Sequence, residues 1–192
     1  MIIGITGSVG SGKSTIAKIF SKHHYIRIDA DEIAHKILQN KKIIKIISAE
    51  FGSETVKNNS IDREVFGNTV FNDDAKLKKL NSIMHPLIIL EIKKEIVKIR
   101  KKSGSKSKII VDAPLLLEVG AEDLVDKIIV IKASNNSILS RNRRFTKGQI
   151  ENILKHQMPL EEKMKHADFM IDNDKNFSNT EKQITDIIKS LE

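Results

Sequence analysis

Gly7-Ser8-Val9-Gly10-Ser11-Gly12-Lys13-Ser14-Thr15 satisfies the pattern G-x-x-x-x-G-K-[ST], and it stands in the setting that gives this pattern meaning. Before it, Met1–Thr6 is a short apolar run that reads as a strand. After it, Ile16, Ala17 and Phe20 mark the apolar side of a helix. Glycines let the backbone adopt unusual φ values and approach phosphate oxygens closely. Successive N–H groups and the helix N-terminus supply positive potential. Gly10, Ser11, Gly12, Lys13, Ser14 and Thr15 are therefore the expected nucleotide-binding set, with Lys13 reaching the β- and γ-phosphates of an ATP-like ligand. The Ser14 hydroxyl is placed to ligate Mg²⁺. A glycine-rich turn with a chance lysine is the alternative, but it explains neither the strand before nor the helix after.

Working outward, further apolar runs at Tyr25–Ile28, Lys108–Val111, Lys127–Ile131 and Phe169–Ile171 alternate with segments of helical period. This predicts an α/β fold: a doubly wound sheet of five mainly parallel strands around the phosphate loop (P-loop), with a helical insertion. Continuous Ile/Val runs such as Ile109-Ile110-Val111 suit parallel strands buried on both faces. The span from the second to the third strand is far longer than one crossover helix requires. It carries the patterns Ile43/Ile46/Ile47 and Leu77/Leu80/Ile83/Met84/Leu87, the second of which Pro86 should kink or break. The expected division is a nucleotide core over 1–33 and 107–192 and a helical insertion over 34–106.

The 192 residues, 40% hydrophobic and 30% charged, are enough for a packed core. No apolar run reaches the roughly 20 residues of a membrane-spanning helix, and Met1–Thr6 runs into the loop without the layout of a signal peptide. The absence of cysteine excludes disulfides, thiolate metal sites and cysteine nucleophiles. A cytoplasmic, monomeric protein is expected. The net charge of +8 is concentrated between His85 and Lys108, where eight Lys/Arg face two Glu. That stretch reads either as an attractive field for a polyanion or as the solvated face of a lysine-rich helix. It lacks the interleaved aromatics of a nucleic-acid surface, so nucleic acid is not the expected partner.

Asp29 and Asp31 follow the second strand, at the carboxyl edge of the sheet where ligands of open α/β folds bind. Asp29, three residues before Glu32, forms a plausible capping box. Asp31 is the candidate to orient an acceptor hydroxyl and take its proton; the other reading is a solvated first-turn acid. Asp112 follows the third strand, where phosphate-loop enzymes often hold a metal-organising acid that reaches Mg²⁺ through water. Arg141, Arg143 and Arg144 form a cluster after the fourth strand, read either as a clamp on a transferring phosphoryl group or as a surface cluster. Arg141 is the first candidate, with Arg143 and Arg144 as lid residues. There is no Asn-Lys-x-Asp of a GTPase and no Leu-Ser-Gly-Gly of a transporter ATPase, and the small size, the helical insertion and the arginine cluster near the C-terminal third favour a small-molecule kinase.

Together these residues resemble the dephospho-coenzyme A kinase family. The likeness runs through the loop, Ile28-Asp29-Ala30-Asp31, Ile61-Asp62-Arg63 with Val70-Phe71, and His85-Pro86-Leu87-Ile88. It continues through Pro114-Leu115-Leu116-Leu117-Glu118, Gln157-Met158-Pro159 with Glu162-Lys163, Ala167-Asp168-Phe169, and Ile171-Asp172-Asn173. The resemblance implies ATP and dephospho-coenzyme A as substrates, a lid at about 138–160, the helical insertion over 34–106 as the acceptor domain for the pantetheine nucleotide, and Asp31 at the position of the family's base. Ser140-Arg141-Asn142-Arg143-Arg144-Phe145-Thr146 is more compressed than the family pattern, which leaves the roles within the arginine cluster open. A shikimate-kinase-like enzyme also has Asp-x-Asp after the second strand, but expects a glycine-rich acceptor loop where Ala113-Pro114-Leu115 stands here. A nucleotide-regulated RNA-binding module using Lys93–Lys108 is the alternative of another class.

Overall fold

The computed structural model describes residues 1–141 and 146–191. The chain divides into two units, Met1–Asp29 with Glu95–Glu192, and Ala30–Lys94.

In the first unit, β1 (Ile2–Gly7) leads through the phosphate loop into α1 (Lys13–Lys22), and β2 (Ile26–Asp29) follows. In the second, α2 (Ala30–Leu38) and α3 (Lys41–Phe51) precede a hairpin of β3 (Val56–Lys57) and β4 (Ser60–Ile61), then α4 (Arg63–Phe71) and most of α5 (Asp74–Ser103). The first unit resumes with β5 (Ile109–Asp112), β6 (Lys127–Lys132), α6 (Asn135–Arg141), α7 (Lys147–Lys155), α8 (Leu160–Lys165), β7 (Phe169–Asp172) and α9 (Phe177–Ser190).

The main sheet has the order β2-β5-β1-β6-β7, and every neighbouring pair is parallel. All five expected strands are present within a residue or so of their anticipated bounds. β1 is flanked on both sides, and all six of its residues are buried. Ile3, Ile5, Ile110, Ile129, Ile131 and Ile171 from the strands pack with Ile16, Phe20, Ile184 and Ile188 from α1 and α9. Only a sheet covered by helices can bury such unbroken aliphatic runs.

The second unit has a core of its own, in which Ile47, Phe51, Phe66, Val70 and Leu77 pack together and Phe51 meets Phe66 edge-on at 5.6 Å. Asp62 caps α4 by accepting from the Val65 N–H at 3.2 Å. The hairpin turns on Asn58 and Asn59, with φ of 53° and 58°. Asparagine tolerates this left-handed region better than most residues, and two such residues in succession make a type I′ turn.

The expectation that Pro86 breaks its helix does not hold: α5 runs unbroken over 30 residues with Pro86 inside it. Leu77 and Met84 before the proline, and Ile92 and Ile96 after it, are all buried. Burying that apolar face on both sides outweighs the roughly 3 kcal/mol an interior proline costs. On the exposed side, Glu91 pairs with Lys94 and Glu95 with Lys98 at i,i+3 spacing, as on an ordinary solvated helix face.

Candidate active site

The loop between β1 and α1 turns on three glycines with positive φ: Gly7 at 150°, Gly10 at 73° and Gly12 at 94°. Gly12 is the N-cap of α1 in the left-handed conformation, and the Thr15 and Ile16 N–H groups donate to its carbonyl. A Cβ at Gly12 would run into the side-chain nitrogen of Asn173, so close approach as well as φ demands glycine here.

Lys13 is buried, and its Nζ donates to the carbonyls of Gly7 at 3.0 Å and Ser8 at 2.8 Å. Its ammonium is thus held inside the curve of the loop. Ser11 Oγ is fully buried and has no hydrogen-bond partner among the described residues. A buried hydroxyl is normally satisfied, and an unsatisfied one in this loop suits a site that takes phosphate oxygens. Ser14 and Thr15 open α1 with exposed side chains.

Behind the loop, Asn173 follows β7 and links several groups. Its Nδ2 donates to the Ser11 carbonyl at 2.8 Å, its Oδ1 accepts from Thr180, and its own carbonyl accepts from Arg141 Nη1 at 2.6 Å. Arg141, the last residue of α6, is therefore docked one residue away from the loop backbone. The neighbouring Asp174 accepts from the Ser134 N–H and hydroxyl. Chiefly that backbone bond, aided by the Ser137 hydroxyl and the Arg141 charge, holds its carboxyl below the usual range. Arg143 and Arg144 lie outside the described residues.

At the carboxyl edge of β2 and β5, Asp29 stands beside Asp112 in register. Arg27 lies between the two carboxylates, its Nη2 2.5 Å from Oδ2 of each and its Nε also donating to Asp112. Asp112 is 3% exposed, so the guanidinium supplies the charge that allows a carboxylate to be buried there. Arg27 and Asp29 share a face of β2 by the two-residue period of a strand, a signal available in the sequence. In the second unit, Asp31 is exposed in the first turn of α2, and Arg63 contacts His35 Nε2 one turn further along.

The most buried charge in the first unit is Lys163 of α8, with no exposed side-chain surface. Its Nζ lies 2.7 Å from Glu118 Oε1 and donates to the Pro114 carbonyl at 2.8 Å and to Thr6 Oγ1 at 3.3 Å. Burial pushes its ammonium below the usual lysine value, with Glu118 opposing. Glu118 Oε1 also accepts from the Met158 N–H, and Gln157 Oε1 accepts from the Val9 N–H of the phosphate loop at 3.0 Å. In the sequence, Gln157, Glu118, Lys163 and Asn173 stood out only as pieces of a family resemblance; the contacts they make span the chain and leave no local signal.

A parallel sheet with a phosphate loop leaving its central strand, and an internal lysine in that loop, defines a P-loop nucleotide-binding fold. The chain belongs to the dephospho-CoA kinase family, whose model matches residues 1–179. A dephospho-CoA kinase of Lactobacillus johnsonii is 34% identical over 194 residues, covering 98% of this chain and 97% of that one. The solved dephospho-CoA kinase of Campylobacter jejuni superposes with a TM-score of 0.71 at 30% identity, covering 99% and 96% of the two chains. A shikimate kinase of Aquifex aeolicus, at 18% identity and a TM-score of 0.52 with coverage of 100% and 96%, shares the fold alone. The family and the fold thus agree with the resemblance, and the shikimate-like alternative gains no support beyond architecture.

Proposed function

We propose that this kinase transfers the γ-phosphoryl group of ATP to the 3′-hydroxyl of dephospho-coenzyme A, giving coenzyme A and ADP, the final step of coenzyme A biosynthesis. The observation that carries the nucleotide half of this reading is the loop itself, with Lys13 coiled onto the Gly7 and Ser8 carbonyls and the buried Ser11 hydroxyl unsatisfied. The dephospho-coenzyme A half rests on family membership.

In this reading the amides from Gly10 to Thr15 bind the phosphates, and Lys13 exchanges its carbonyl contacts for the β- and γ-phosphate oxygens. Asp31 orients the acceptor hydroxyl and takes its proton. A weakly basic carboxylate suffices, because a loose phosphoryl-transfer transition state needs positioning more than a strong base. Arg141 meets charge on the phosphoryl oxygens, joined by Arg143 or Arg144 as lid residues.

The donors also fit Mg²⁺. Ser14 offers an exposed hydroxyl oxygen, a hard ligand of the kind Mg²⁺ takes, while Asp112, buried and paired with Arg27 through Oδ2, would act on such an ion only through water. Among the described residues there is no cluster of three or more acids or histidines for a metal, so such an ion would share its shell with phosphate oxygens. When bound it would neutralise charge on the β- and γ-phosphates. The reading includes a cytoplasmic monomer. Among the described residues no helix is long and apolar enough to cross a membrane.

The test is an ADP-release assay with dephospho-coenzyme A, shikimate, nucleoside monophosphates or no acceptor, with and without Mg²⁺. Turnover confined to dephospho-coenzyme A and abolished in Lys13→Ala supports the proposal. Near-normal turnover in a folded Lys13→Ala protein would refute the role of the loop.

A further inference from the structure

The segment from Gln157 to Lys163 has no task in the reaction as described, yet it holds the phosphate loop at Val9 and the strand that leads into it at Thr6. On one side, Gln157 Oε1 accepts from the Val9 N–H, a residue 148 positions earlier. On the other, Lys163 Nζ reaches Thr6 Oγ1 and the Pro114 carbonyl, and Thr6 Oγ1 itself donates to Pro114. Thr6 and Val9 bracket the entry to the loop. Between these anchors, Glu118 Oε1 accepts from both Lys163 and the Met158 N–H, which fixes the backbone that carries Gln157. The Val9 side chain is held as well, packed against Ala133, Ile138 and Ile150 with Leu139 and Leu154 of α6 and α7.

We propose that Gln157 is a positioning residue for ATP: braced by the Glu118–Lys163 pair, it holds the Val9 amide and keeps the phosphate loop in its binding curve before the nucleotide arrives. A loop with three positive-φ glycines has more freedom to lose than any other backbone. Restricting that freedom in the empty protein lowers the ordering cost that binding must otherwise meet. The Gln157 side chain is the natural brace because it is half-buried and its backbone neighbour is pinned to Glu118. The inference rests on the reading that the loop takes the phosphates of ATP, and is independent of the acceptor.

Gln157→Met keeps the shape and removes the acceptor. Losing one hydrogen bond to a partly buried amide should raise the ATP KM by roughly 5–30-fold and leave the dephospho-coenzyme A KM unchanged. In the nucleotide-free protein, hydrogen exchange of a peptide spanning residues 7–13 should accelerate, while peptides from β5 and α9 stay as in the wild type. Gln157→Glu, which restores an acceptor oxygen at the same reach, should return loop exchange to the wild-type rate. Wild-type exchange and ATP KM in Gln157→Met would overturn the inference. So would equal acceleration in all peptides, which would mark Gln157 as a residue of general stability. Failure of ATP to slow loop exchange in the wild-type chain would be a separate result, and it would remove the phosphate-loop reading together with the brace.

Discussion

Replacing Lys163 with Met should be among the most damaging single changes to stability outside the apolar core. The swap nearly conserves volume, so packing loss is small and the effect is electrostatic. Lys163 has no exposed surface and lies 2.7 Å from Glu118 Oε1. Without it, Glu118 keeps only the Met158 N–H on Oε1, while Oε2, already buried without a partner, gains nothing. Removing one member of a buried pair costs about 3–5 kcal/mol, because the other is left charged and poorly solvated. For a chain of this size each kcal/mol moves Tm by about 2–4 °C, so the expected loss is about 6–20 °C. Differential scanning calorimetry at neutral pH measures it. The double change Lys163→Met with Glu118→Leu should recover much of the loss, since an apolar pair removes the uncompensated charge. A Tm within 2 °C of wild type for Lys163→Met alone, beyond the ~6 °C floor of this reasoning, would refute it.

Asp31→Asn should lower kcat by orders of magnitude while ATP affinity stays close to wild type, measured by steady-state turnover and nucleotide titration. Equal weakening of ATP binding would deny Asp31 a role confined to the acceptor. Arg141→Ala should reduce turnover at saturating ATP by roughly 10²-fold, the scale of one preorganised contact to developing charge; a mild loss, no larger than in Arg143→Ala and Arg144→Ala, would return the arginines to the surface. Acid stability has a defined sign at Asp168. Its hydrogen bond from Lys127, then that from the Ile128 N–H, holds the carboxyl below its usual value. The resulting stabilisation is present above the unfolded pKa and is lost as pH falls below about 4. Asp168→Asn should therefore lower Tm at pH 7 and flatten the decline of Tm in acid, and parallel melting curves across that range would contradict the assignment.

Local physics made much of this fold legible. Unbroken Ile/Val runs announced strands buried on both faces, and the glycine spacing of the loop announced its turns. Two local readings went astray or were missed. The intrinsic cost of Pro86 argues for a break, yet Leu77, Met84, Ile92 and Ile96 hold the helix on both sides of it. The Asn58-Asn59 hairpin lacks the Asn-Gly pair by which such turns are usually noticed. Within the site, the loop residues declared themselves through spacing. Lys163 on Glu118, Gln157 on Val9 and Asn173 on Ser11 did not, because tertiary approach brings each pair together and no period connects them. Arg27 between Asp29 and Asp112 is intermediate: the strand period put Arg27 beside Asp29, but only the sheet order added Asp112.

The central place of β1 in that sheet order has a consequence for the chain as it is made. Ile2 pairs with Ile109, and Ile3 with Lys127, so β1 has no sheet neighbour until about a hundred further residues have been made. At about 5–20 residues per second, synthesis of some hundred residues leaves it unpaired for about 5–20 s. Ala30–Lys94, a continuous stretch with its own core, is free to condense meanwhile. The strand left waiting is Ile2-Ile3-Gly4-Ile5-Thr6-Gly7, apolar and uncharged, so the segment that later carries the phosphate loop is also the one most in need of a chaperone's cover during translation.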